Sequence, residues 1–244
     1  MAMNWKIKPR SSLTTELAKE LSIAPLLAQL LVNRGIDNKE SARAFLSPRL
    51  SDMADPRLLT GMEEAVDVIY NAICDHEPIT IYGDYDADGL TGAALLYLFF
   101  KQIDVPSKIY IPNRLTEGYG LNRRAIERIA RERRGVLITV DCGISNMKEV
   151  AIAKRLGLKV VITDHHKIPA DSNFLCPTVN PHREDSLYPD QNLAGVGVAF
   201  LLAVAVRWRL REKGYFKNHN EPEIKDLLDL VAIGTIADQV ALIG

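Results

Sequence analysis

Cysteine is scarce in this chain. Cys74, Cys142 and Cys176 are the three in 244 residues, far apart and odd in number. No Cys-x-x-Cys pair exists, so neither a disulfide framework nor a thiolate zinc site is indicated, and a reducing cytoplasm is the expected setting. Charge of one sign is also missing. A formal net charge of −1 gives no global pull toward nucleic acid, so any basic binding surface must be local. The longest apolar runs, near residues 90–100 and 193–206, are too short to span a bilayer and read as buried helices. The opening stretch MAMNWKIKPR holds no apolar segment of the kind that a secretory signal carries. No membrane association is expected. What is left is an ordinary globular composition, 47% hydrophobic and 25% charged, long enough for one large domain or a domain with a smaller piece.

The most informative stretch is ITIYGDYDADGLTG, residues 79–92. It reads as a short buried strand over 79–83 that stops at a carboxylate. Asp84, Asp86 and Asp88 then alternate with Tyr85 and Ala87. Gly89 breaks the run, and an apolar helix is expected from about residue 90 to 101. Two like charges about 4 Å apart cost about 1 kcal/mol in water and several times more near a protein surface. A strand end that gathers three carboxylates therefore needs a cation, or one of them takes up a proton. A solvated acidic loop explains poorly why a β-rich run enters and an apolar helix leaves. A calcium loop begins D-x-D-x-D-G but requires a Glu at its twelfth position and a helix in front. Here the twelfth residue is Leu95, and a strand precedes.

Residues 1–60 read as a small helical preface packed on the main domain, with no chemistry of its own. Leu26, Leu27, Leu30 and Leu31 repeat at helical spacing, Gly35 is a C-terminal cap, and a second short helix runs from Asp37 to Phe45. Beyond residue 61 the pattern changes. Strands are expected at 79–83, 108–111, 136–140 and 159–163, separated by helices at 63–74, 90–101, 121–134 and 146–156. That alternation predicts an α/β domain with a mainly parallel sheet flanked by helices. The ligand site of such a sheet lies beyond the carboxyl ends of its strands.

Three of those strands end in acid, at Asp84, Asp141 and Asp164, and the three should converge. His165 and His166 follow directly. Carboxylates with imidazole suit manganese, magnesium or zinc better than copper or iron–sulfur. Neighbouring residues on extended chain point in opposite directions, so one imidazole is expected to hold metal and the other to face substrate. The loop 167–191, with Asn180, Pro181, His182 and Arg183, reads as a surface connection. A buried helix over 196–211 is opened by Gly195 and Gly197, where small residues let backbone pass close. A last helix, 223–237, delivers Asp238, either a helix cap or a further ligand. Arg123, Arg124, Arg128, Arg131, Arg133 and Arg134 interleave with Glu127 and Glu132 and read as a solvated helix face. Arg114 follows a strand and is the better phosphate contact.

With these pieces placed, the chain resembles the DHH phosphoesterase superfamily, and within it the single-strand-specific DNA exonucleases. The resemblance is carried by YGDYDADG (82–89), VDCG (140–143) and DHH (164–166), and by IPNR (111–114) with EGYG (117–120), LAGVGVA (193–199) and GTIAD (234–238). It implies a two-metal 5′-to-3′ exonuclease of DNA repair and recombination, using Mn2+ or Mg2+. It further implies that Asp88, Asp141, His165 and Asp238 hold one ion, that Asp86 and Asp141 hold the other with Asp84 close by, and that Asp141 bridges. His166 would contact the scissile phosphate, Arg114 would lie on the phosphate path near the 5′ end, and Tyr119 is a candidate surface for an unpaired base. Single-stranded DNA is the implied partner, a single-strand-binding protein or helicase would engage parts outside this chain, and a monomer is expected. The alternatives are an oligonucleotide phosphodiesterase or small-substrate phosphatase of the same superfamily, and a replication scaffold that has lost its metals. The retained acids argue against the scaffold. One departure is large. Such exonucleases carry a second, substrate-binding domain with a glycine-rich motif and a histidine, whereas this sequence has no Gly-Gly pair and stops at Gly244. The metal-binding domain alone is expected, able to fold and bind metal but cutting weakly. Gln239 also stands where an apolar residue is expected.

Overall fold

The computed structural model describes residues 6–9 and 11–242. The first five residues and Arg10, part of the stretch read for a secretory signal, lie outside the described residues. The chain divides into two compact units, with the seam between Met53 and Ala54. Residues 54–60, expected in the helical preface, fall in the larger unit. Leu59 is fully buried there, and the Thr60 hydroxyl donates to the Asp185 carbonyl.

The smaller unit holds α1 (Ser12–Leu21), α2 (Pro25–Asn33) and α3 (Lys39–Leu46). Leu17, Ala28, Leu31 and Ala42 form its core. Past the end of α2, Gly35 takes a left-handed conformation (φ +83°) and Ile36 N–H returns to the Leu31 carbonyl, which stops the helix. Asn38 opens α3 by accepting from Ser41 N–H at 2.8 Å.

The larger unit alternates helix and strand as the periodicity predicts. Its elements are α4 (Met62–Cys74), β1 (Ile79–Gly83), α5 (Ala87–Gln102), β2 (Ser107–Tyr110), α6 (Arg123–Glu132), β3 (Val136–Val140), α7 (Met147–Arg155), β4 (Lys159–Thr163), β5 (Thr178–Val179), α8 (Gly195–Glu212) and α9 (Leu228–Ala237). The five strands form one sheet in the order β2-β1-β3-β4-β5, and every pairing is parallel. β1 and β3 are buried along their whole length, which is why they read as continuous apolar runs rather than alternating ones. One face carries α6 and α7, where Tyr82, Leu137, Val160 and Ile162 pack against Ile126, Ile129 and Val150. The other face carries α4, α5 and α8. Among the described residues, no helix is long and apolar enough to cross a membrane.

The order has a functional consequence. From β1 the chain crosses to β2 on one side and then returns to β3 on the other, so the loops after β1 and β3 part and leave a crevice between them. Register fixes what sits there. Gly83 pairs with Val140, and Val140 with Thr163. The residues that follow, Asp84, Asp141 and Asp164, therefore stand in one row. Their amides extend the ladder, donating to the carbonyls of Val140, Thr163 and Val179.

Candidate metal centre

On the β1 side of the crevice, α5 begins earlier than the sequence suggests. Asp86 is its N-cap and accepts from Gly89 N–H at 2.9 Å. Gly89 lies inside the first turn and does not break the run. A Cβ at Gly89 would come within 2.6–2.7 Å of Asp84 backbone and Cβ, so the glycine is there to let the helix close on the strand end. Asp88, one residue into α5, is 1% exposed. Its two oxygens accept from Gly195 N–H at 2.6 Å and Val196 N–H at 2.8 Å. This carboxylate thus sits between the amino-terminal ends of α5 and α8, where helix dipoles and free amides favour negative charge.

On the β3 side, Asp141 takes a left-handed backbone (φ +61°). Asp tolerates that region better than most residues, yet it is strained, and such strain gathers at functional sites. Gly195 passes directly over the side chain. A Cβ there would stand 2.6 Å from Asp141 Cβ and 2.9 Å from its Oδ1. Of the two glycines at the start of α8, Gly195 makes the close backbone approach and Gly197 does not.

His165 and His166 leave β4 in different environments. His165 Nε2 lies 3.1 Å from Asp141 Oδ1, 3.6 Å from Asp88 Oδ2 and 3.7 Å from Asp238 Oδ2, and its side chain is 11% exposed. Asp238 reaches this point as the C-cap of α9. His166 is 45% exposed and directs Nδ1 to Asp164 Oδ1 at 2.8 Å, with Asp141 Oδ1 at 3.8 Å.

Potential ligand atoms gather in three overlapping sets: Asp88, His165 and Asp238; Asp84, Asp86 and Asp141; and Asp141, His165 and His166. Asp141 joins the second set to the histidines. Among the described residues, Asp84 Oδ1, Asp141 Oδ1 and His165 Nε2 are buried and have no well-formed hydrogen bond, the last two only facing each other at 3.1 Å. An unsatisfied buried polar group costs about 1–3 kcal/mol, more when charged, and here three border one crevice. Burial pushes the Asp141 carboxyl up to about 7, with His165 pulling the other way and Asp88 and Asp86 adding to the rise. Burial likewise holds Asp84 and Asp88 above the usual carboxylate range. For His165, burial works against the charged form, but Asp141, Asp238 and Asp88 outweigh it and the imidazole is raised. Oxygen and imidazole donors left unpartnered in a pocket that resists bare negative charge fit a divalent cation of the manganese or magnesium type.

Asp164 stands in the row of strand-end acids but belongs to none of the three sets. Its oxygens are taken by Ile144 N–H at 2.9 Å, His165 N–H at 2.8 Å, His166 N–H at 3.1 Å and His166 Nδ1. Burial would raise this carboxyl, but those donors hold it below its ordinary range. Asp164 is an anchor for the His165–His166 turn, and its bond fixes the His166 ring. Buried Asn180 was not read as part of the site. Its Nδ2 donates to the His166 carbonyl at 2.9 Å and its Oδ1 accepts from His182 N–H at 2.8 Å. Nothing in the sequence around Asn180 ties it to a residue 14 positions earlier.

Arg114 lies in the loop after β2, at the same sheet edge. Its guanidinium stands 5.4 Å over the Tyr85 ring, and among the described residues it pairs with no carboxylate of the site. Tyr85 meets Tyr119 edge-on, and the Tyr119 hydroxyl lies 3.3 Å from His166 Nε2. The arginines of α6 make i,i+4 pairs, Arg123 with Glu127 and Arg128 with Glu132, both exposed, as expected of a solvated face.

A doubly wound α/β domain whose crevice gathers five aspartates and two histidines defines a metal-dependent class of protein. The chain belongs to the DHH family: residues 78–235 match the description "DHH family, N-terminal domain". It is 43% identical over 241 residues to the single-stranded-DNA-specific exonuclease RecJ of Bacillus subtilis (strain 168), covering 98% of this chain and 29% of that protein. It is 40% identical over 233 residues to RecJ of Salmonella typhimurium, covering 94% and 39%. A crystal structure of RecJ from Thermus thermophilus in complex with Mn2+ matches with a TM-score of 0.73 at 31% identity, over 96% of this chain and 31% of that one. The chain spans less than half the length of these relatives.

Proposed function

We propose that this chain is the metal-dependent catalytic core of a 5′-to-3′ exonuclease that hydrolyses phosphodiester bonds in single-stranded DNA. The observation that carries the reading is the group of orphaned buried donors around Asp141, in a chain of this family. In this reading Asp88, Asp141, His165 and Asp238 hold one cation, and Asp86 with Asp141 and the nearby Asp84 hold a second. Two such cations, when bound, offset charge on the phosphoryl oxygens and lower the pKa of attacking water.

The chain's own groups do the rest. His166 is raised to about 9, chiefly by its hydrogen bond to Asp164, with burial opposing. In the metal-free protein this favours a proton on both ring nitrogens. Nδ1–H is spent on Asp164, which leaves Nε2–H free to donate to a phosphoryl oxygen, a bond that strengthens as charge builds there. Tyr119 borders the same nitrogen and would move aside or share it. Arg114 offers a forked donor for a terminal phosphate on the β2 side. Single-stranded DNA as substrate, a cytoplasmic location and a monomer acting beside a single-strand-binding protein or helicase complete the reading. The test is mononucleotide release from labelled single-stranded DNA with Mn2+, against duplex DNA and small phosphate esters. Release from the single strand alone, and its loss in His166→Ala, is the expected result. Turnover of small esters without strand degradation would replace this reading with a phosphatase.

A further inference from the structure

Beyond His166 the sheet edge continues into a cavity of about 570 Å³ that the site described above does not use. Lys167, Ile168, Pro169, Phe174, His182 and Arg183 line most of it. Its size falls within the roughly 300–1,000 Å³ of small-molecule sites. The loop after β4 forms one wall and the loop after β5 the other. We propose that this cavity seats a nucleobase of the single strand, a few nucleotides from the metal centre. This rests on the proposed action on single-stranded DNA.

Three observations carry it. The first is position. Across the sheet edge, the loops run from Arg114 after β2, through the acids after β1 and β3 and the histidines after β4, to His182 after β5. A strand lying across that edge meets them in order. From the crevice between β1 and β3 to β5 is about 12 Å, at an inter-strand spacing of about 4.8 Å. A single strand covers that in a few nucleotides, given about 3.4 Å per nucleotide even in the duplex.

The second is chemistry. Lys167 and Arg183 are balanced by Glu184 and Asp185 in the same lining. A cavity with no net charge and with Ile168, Pro169, Ala170 and Phe174 in its walls does not select phosphate. It offers apolar walls with polar groups at the margin, which suits a base, since every base has a stacking face.

The third is rigidity. The Arg183 guanidinium lies 4.8 Å from the Phe174 ring centre. It is pinned by Asp185 at 2.8 and 2.9 Å and by the Thr178 carbonyl at 3.1 Å. Buried Asn180 holds the His166 carbonyl with one end and His182 N–H with the other. The cavity is thus fixed relative to the residue assigned to the scissile phosphate, as a substrate subsite requires.

The experiment uses short labelled single strands with phosphorothioate linkages at the cut end, so that binding is read without cleavage. One abasic position is stepped along the strand, and affinity is measured by fluorescence anisotropy. With the natural chain, affinity should fall about 5- to 100-fold at one position a few nucleotides from the metal-bound end, the range that loss of a stacked base gives. Phe174→Leu and, separately, His182→Ala should weaken the intact strand and flatten that dip. Two variants are needed because Phe174 is half-buried and contributes to packing, whereas His182 is exposed. No dip at any position, or a dip that survives both variants, overturns the assignment. Cleavage of an ordinary strand with Mn2+ is scored separately. A dip without cleavage supports the nucleobase seat and sinks the exonuclease reading; cleavage without a dip does the reverse.

Discussion

Gly195→Ala places a methyl group against the carboxylate on which the centre turns. The new Cβ would lie 2.6 Å from Asp141 Cβ and 2.9 Å from its Cγ and Oδ1, closer than packed atoms tolerate. Neither side can retreat freely. Asp141 is held by its amide on the Thr163 carbonyl at 3.0 Å and by its strained φ. The start of α8 is held by the two amides on Asp88. Overpacking of this kind costs about 1–3 kcal/mol, which for a chain of this size lowers Tm by about 2–12 °C. If α8 lifts instead, the two bonds to charged Asp88 weaken, each worth about 1.5–3 kcal/mol. Either way the Asp88–Asp141 geometry changes, and Mn2+ affinity should drop by about fivefold or more, since each 1.4 kcal/mol is tenfold. Gly197→Ala is the matched control two residues on. Its Cβ would meet only the Leu193 side chain at 3.7 Å, an ordinary contact, and alanine gains up to about 1 kcal/mol over glycine within a helix. Calorimetric melting and Mn2+ titration of both variants decide the matter. Equal Tm and equal Mn2+ affinity in Gly195→Ala would refute the close approach and the shared role of Asp141.

His166→Ala should leave Mn2+ affinity near that of the natural chain and lower turnover about 10²–10³-fold, as loss of one transition-state donor does; a large loss of Mn2+ binding would mean that His165 and His166 have exchanged roles. Mn2+ affinity should rise with pH. In the metal-free protein Asp141 holds its proton up to about 7, above the ordinary carboxylate value. The cation must displace that proton below pH 7, and any proton on His165, whose own titration is also raised, so titration in buffers of different ionisation enthalpy should show proton release that falls as pH climbs through 7 and ends only once His165 is neutral too. The same raised pKa means that metal-free stability falls as pH climbs from about 4 to about 7, because the folded state binds the extra proton there, and Mn2+ should remove that loss. Asp164→Asn should bring the His166 pKa down from about 9 toward the ordinary histidine value, which histidine NMR can follow. An unmoved His166 titration would separate it from Asp164.

The row of strand-end acids was legible because a parallel sheet needs apolar strands and tolerates a carboxylate only where the strand stops. Asp84 and Asp141 announce themselves by following Gly83 and Val140, and the register then sets them side by side. The start of α5 was misjudged because glycine in a run of aspartates resembles a turn, whereas Gly89 is dictated by contact with Asp84. β5 went unread because two residues, Thr178 and Val179, carry no periodicity; they are strand only because β4 is beside them. Asp164 converges with the other two, as its place at a strand end predicts, but the sequence does not say what it does there. Its actual task depends on where Ile144 N–H and His166 Nδ1 come to lie. Asn180 touches the site through a contact between segments 14 residues apart, which no local pattern records.

In the proposed centre one carboxylate, Asp141, belongs to two cation sites at once. Isothermal titration of Mn2+ into the natural chain and into Asp141→Ala tests that directly. The natural chain should take up two ions, and Asp141→Ala should lose both, because removing a shared ligand opens both sites. Two intact sites in Asp141→Ala would contradict it.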